Sequence, residues 1–164
     1  MLSSQCGELA ICSATVGRVV DFGVTDANNM GAAMAPAAAQ TILTHLEDLG
    51  VGPDYYDAIV TGDLGIFGSD MLIDLAANSH VDLSGVHKDC GKMIFEGMDK
   101  NCGASGCGCS ASVLNAFFFK KMMDGEINRI LFVATGALHS PTSVQQGESI
   151  PGIAHAVQIE RRAN

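Results

Sequence analysis

The chain has 164 residues, 48% of them hydrophobic and only 16% charged. That suits one domain with a real core and excludes a disordered segment. Formal net charge is −9, with only 9 Lys and Arg together, which argues against a nucleic-acid surface and a polybasic membrane anchor.

In chain order, Glu8 to Thr15 reads as a strand, followed by a polar, Gly-punctuated connection. Helix signals begin near Ala32, with Pro36 fitting the first turn. Ile42, Leu43, Leu46 and Leu49 recur at helical spacing, and Gly50 is a stop signal. Tyr56 to Thr61 is a short apolar strand broken by Gly62 and Asp63. Ser69 or Asp70 is the expected cap of a second helix through Ala76. Residues 78–104 read as irregular. A helix is expected from Ser110 to about Met123, ended by Gly125. Asn128 to Ala134 is a strongly apolar strand, residues 138–152 a polar loop, and His155 to Glu160 a last strand. Helical and strand segments in this order predict a mainly parallel sheet covered on both faces, antiparallel where the last two strands adjoin. The whole of 1–164 reads as one domain.

Six cysteines, Cys6, Cys12, Cys90, Cys102, Cys107 and Cys109, follow a start with no basic, apolar leader. A reducing compartment therefore fits them better than a disulfide framework. Their spacing is not a paired metal-binding pattern, and small buried hydrophobes are the expected role. No run reaches the length of a membrane span.

The small-residue turn at 103–111 is the most specific local feature. Ser105, Gly106 and Cys107 precede a helix, where backbone N–H groups serve either tight packing or an anion. Cys107 or Cys109 as nucleophile would need a base, for which His139 and His155 are available. Asp63 lies where a strand end faces a site, or simply holds its turn. Ser140 and Thr142 sit in a proline-stiffened loop fit for contact or for plain solvation.

Several segments together resemble the stage V sporulation protein AD family. They are Ser13-Ala14-Thr15-Val16-Gly17, Met34 through Ala39, Thr61-Gly62-Asp63-Leu64, Asp89-Cys90-Gly91, Ser105 through Ala111, and Val133 through Leu138 with Ser140-Pro141-Thr142 and Gln145 through Pro151. That family is similar in fold to thiolases and ketoacyl synthases, and this chain resembles the C-terminal half alone. The resemblance implies an α/β thiolase-like half: a mainly parallel five-stranded sheet with an antiparallel edge strand and helices on both faces.

Ketoacyl synthases place a catalytic His just after the strand matching Tyr56–Thr61, and His or Asn in the turn before the helix matching 110–123. Here those places hold Gly62-Asp63 and Ser105-Gly106-Cys107. An anion at Asp63 would oppose enolate charge. The resemblance thus implies no catalytic residues. It implies instead binding of dipicolinic acid, with Asp63, Ser105, Gly106, Cys107, Ser140 and Thr142 as candidate ligand residues. It brings in no cofactor beyond calcium carried with dipicolinate. The implied partners are other proteins of a spore membrane channel complex, and an N-terminal thiolase-like half or further copies of the chain. The implied place is peripheral, at the spore inner membrane. Two rivals are an acyltransferase using Cys107 or Cys109, and a pure assembly module.

Overall fold

The computed structural model describes residue 3 and residues 7–98 and 108–162. Strand β1 spans Leu9–Thr15 and helix α1 Met30–Leu49; a 3-10 turn covers Pro53–Tyr55. Then come β2 (Ala58–Thr61), α2 (Gly65–Ala77), β3 (His87–Asp89) and α3 (Cys90–Ile94). A continuous helical run follows, made of α4 (Cys109–Val113), a π segment (Leu114–Phe118) and α5 (Phe119–Met123). β4 (Arg129–Ala137), α6 (Pro141–Gln145) and β5 (Gly152–Arg161) complete the chain.

The sheet has five strands in the order β1-β5-β4-β2-β3. β2 pairs in parallel with β3 and β4, whereas β5 is antiparallel to both β4 and β1. The antiparallel pairings therefore gather at one side, with β5 one place in and β1 outermost. Alternation along the strands splits the core in two. Ile59, Leu131, Val133, Ala154 and Ala156 face α1 and α2. Ala58, Val60, Ile130 and Ile159 face Val113, Phe118 and Met122 of the other layer.

Helix α1 departs from the sequence reading. It begins at Met30, because the Asn29 side chain accepts from the Ala32 N–H. Pro36 therefore lies inside the helix and not in its first turn. From Gly31 to Ala39 every residue is buried, and the small side chains explain how. A Cβ on Gly68 of α2 would come within 2.8 Å of the Gly31 Cα, so the two helices touch backbone to backbone.

Helix α2 also starts earlier than expected, at Gly65, and neither Ser69 nor Asp70 caps it. Ser69 is instead buried inside the helix. Within the described part of the stretch expected to be irregular, residues 78–98, lie β3 and α3, and the expected loop 138–152 holds α6.

Candidate functional site

The carboxyl ends of β2, β3 and β4 meet the start of α4. Gly62 leaves β2 without a side chain; a Cβ there would lie 2.7 Å from the Thr135 Oγ1 and 3.8 Å from the Ser110 Cβ. Gly91 N–H donates to Gly62 O at 3.2 Å. The Cys109 thiol points at the same carbonyl, 3.9 Å away. Asp63 is half-buried against Gly91, where a Cβ would strike its Oδ1 at 1.8 Å. The glycines are thus what let the β2 end and Asp63 turn close on α3, β4 and α4.

Behind this turn stands a carboxylate that carries part of the family resemblance but is not among the expected site residues. Asp89 is 2% exposed. Its Oδ2 accepts from Thr61 Oγ1 at 2.7 Å and from Leu64 N–H at 2.9 Å. Its Oδ1 accepts from Gly65 N–H at 3.1 Å and Lys92 N–H at 3.0 Å. One side chain from β3 therefore satisfies donors at the entries of both α2 and α3. Burial raises its pKa above the usual carboxylate value, while the four donors pull the other way.

Thr61 Oγ1 also lies 2.9 Å from His87 Nε2. Since the hydroxyl proton goes to Asp89, the imidazole must donate from Nε2. Burial, helped by Lys92 and Lys88, lowers the His87 pKa to about 4, so the ring is neutral near pH 7.

Next to the Asp63 turn, along β3 and α3, lies a cavity of about 410 Å³. Ile66, Met93 and Phe95 give it apolar walls, His87, Lys88 and Lys92 bring nitrogen groups, and Asp89 and Glu96 bring carboxylates. Among the described residues neither lysine forms an ion pair. The lysines lie on either side of Asp89, a spacing that a single sequence does not mark as a site.

Of the expected site residues, Asp63 lies in the turn beside Gly91 and is not among the residues that line the cavity. Ser105, Gly106 and Cys107 lie outside the described residues. Ser140 instead caps α6, accepting from Ser143 N–H at 3.1 Å, and Thr142 is exposed on that helix. Among the described cysteines, Cys90 and Cys109 are buried and Cys12 is exposed. Burial, with the Asp89 charge adding to it, pushes the Cys90 thiol up to about 12, the reverse of an activated nucleophile. His155 Nδ1 accepts from Gly17 N–H at 3.1 Å, on the β1 side of the sheet. Among the described residues no group of three or more His, Cys, Asp or Glu is arranged to hold a metal ion, and no helix is long and apolar enough to cross a membrane.

Comparison with solved structures supports the architecture. OleA of Xanthomonas campestris superposes with a TM-score of 0.52 at 10% identity, over 93% of this chain and 56% of that one. A 3-oxoacyl-(acyl-carrier-protein) synthase III gives 0.50 at 13% identity, over 96% and 51%. The fold is thiolase-like. In sequence, Stage V sporulation protein AD of Bacillus subtilis (strain 168) is 47% identical over 162 residues. The match takes in 98% of this chain and 48% of the relative, so the chain spans about half that protein's length. The family model for Stage V sporulation protein AD (SpoVAD) matches residues 1–160. The chain belongs to the stage V sporulation protein AD family.

Proposed function

We propose that this chain is a non-catalytic, dipicolinate-binding component of a spore membrane complex that moves dipicolinate, with calcium, during sporulation and germination. The observation that carries the reading is the cavity beside the Asp63 turn. Dipicolinate is a flat aromatic ring with two carboxylates. Met93, Phe95 and Ile66 suit the ring, and Lys88 and Lys92 suit the charges. Glu96, on the same wall, would repel a bare dianion. A calcium ion, which takes carboxylate oxygens readily, would bridge Glu96 to the ligand and remove that repulsion.

The chemistry at the Asp63 turn speaks against turnover. Condensing enzymes stabilise a developing enolate oxygen with neutral or positive donors, and Asp63 stands where the resemblance expects one. His87 is neutral, but its Nε2 proton is committed to Thr61.

Calorimetric titration with dipicolinate, with calcium and with a chelator, tests the reading. It is run on the chain alone and on the chain mixed with the part of the Bacillus subtilis relative that it does not match. Saturable binding that strengthens with calcium is expected, and Glu96→Gln should reduce the calcium gain. Acyl-CoA cleavage that Cys109→Ala abolishes, with no dipicolinate binding in either preparation, would overturn it.

A further inference from the structure

The opposite end of the sheet carries a second concavity. α1 and α2 both finish there, and their backbones close in the same way. Gly50 N–H donates to Glu47 O and Val51 N–H to Leu46 O; His80 N–H donates to Ala77 O and Val81 N–H to Ala76 O. Between the two ends lies a groove of about 880 Å³, bounded also by the Pro53–Tyr55 turn and the residues leading into β3.

Leu46, Val51 and Val86 form its apolar base, and Glu47, Asp54 and Asp82 its rim. No lysine or arginine is among its lining residues; His80 is the further titratable group on the lip. The last turns of α1 and α2 contain no basic residue. Each helix end carries roughly half a negative charge, which the chain's own last turns leave uncompensated. Three carboxylates and two helix ends therefore surround one apolar floor.

We propose that this groove docks a basic amphipathic segment of a partner protein. Apolar side chains of that segment rest on Leu46, Val51 and Val86, and its lysines or arginines reach Glu47, Asp54, Asp82 and the helix ends. A second copy of the chain is a poor occupant, because each carries a formal charge of −9. The inference is independent of the dipicolinate reading, which concerns the other end of the strands.

The test is fluorescence anisotropy with a labelled helical peptide that bears leucine on one face and lysine on the other. The expected result is saturable binding that weakens with salt. Glu47→Lys with Asp54→Lys should cut affinity about tenfold or more, since like charges then face each other. Asp70→Lys with Asp124→Lys, two exposed positions away from the groove, changes net charge equally and should leave affinity within about threefold, as expected of distant surface charges. A peptide with serine in place of leucine should bind far more weakly. If the lysine pair fails to fold in a melting control, Glu47→Gln with Asp54→Asn decides the matter by a smaller loss in the same direction. Equal weakening by groove and distant substitutions, or equal binding of the serine peptide, would overturn the proposal.

Discussion

The Thr61 hydroxyl donates to the Asp89 carboxylate across 2.7 Å, and this one bond ties the end of β2 to the end of β3. The same carboxylate receives the backbone of Leu64, Gly65 and Lys92. Asp89→Asn would set an amide donor against N–H groups that now meet oxygen. We expect a loss of about 3 kcal/mol, in the range for a disrupted buried, charged hydrogen-bond site. Urea unfolding of the two proteins measures it. A loss under about 1 kcal/mol, the worth of one ordinary hydrogen bond, would show that Asp89 does not hold the two helix entries.

His87 predicts a pH dependence. Its folded pKa of about 4 lies below the ordinary 6.5, so the unfolded chain binds the proton first as pH falls. The stability is fully present above about pH 6.5 and is lost as pH falls toward 4. At about 1.4 kcal/mol per pH unit, the loss approaches roughly 3 kcal/mol. Burial lowers His45 too, with the same sign, and the raised Asp89 acts in the opposite sense at low pH. Melting curves from pH 7 to pH 4 for the parent and His87→Gln isolate the His87 share, which should flatten in the variant. Parallel curves would contradict it.

Much of the fold is legible locally, because apolar periodicity reports burial. Ile42 and Leu46 are buried in α1, and Ile130, Leu131 and Val133 in β4, where their spacing places them. The start of α2 is not legible, because its acceptor, Asp89, is 24 residues beyond Gly65 in sequence. β3 is only three residues long and polar in composition, so no alternation announces it. At the site, Asp63 is visible as a residue after a strand. The lysine-bearing cavity beside it is not, because it arises only when β3 lies next to β2.

The contact of Gly31 with Gly68 makes a packing prediction. A methyl at Gly68 would meet backbone atoms of Gly31 at 2.8 to 2.9 Å, and backbone cannot swing aside. Gly68→Ala gains helix propensity of about 1 kcal/mol. Overpacking costs on the order of 1–3 kcal/mol, so we expect a net loss of stability. Thermal melting checks it, and a rise in melting temperature would mean that the helices can separate at little cost.

His80 has a φ of 61°, the left-handed region, at the place where α1 uses Gly50 with φ of 64°. Left-handed backbone costs a residue with a side chain about 1–2 kcal/mol. Gly removes that cost but loses more entropy on folding, about 0.4–1 kcal/mol. His80→Gly should therefore stabilise by somewhat under about 1 kcal/mol, read as a higher urea midpoint at unchanged slope. A lower midpoint would show that the imidazole makes a contact worth more than the strain.

Under the proposed function, the cavity beside the Asp63 turn receives dipicolinate through Lys88 and Lys92. The most direct measurement is calorimetric titration of dipicolinate with calcium into the parent and into Lys88→Ala with Lys92→Ala, each with a melting curve. Both substitutions remove side chains on the cavity wall and leave the Lys92 N–H bond to Asp89 in place, so the fold should persist. Binding to the parent and a loss of about tenfold or more in the variant are expected, since charge-assisted contacts are removed. Equal affinity in the two proteins at equal stability would contradict it.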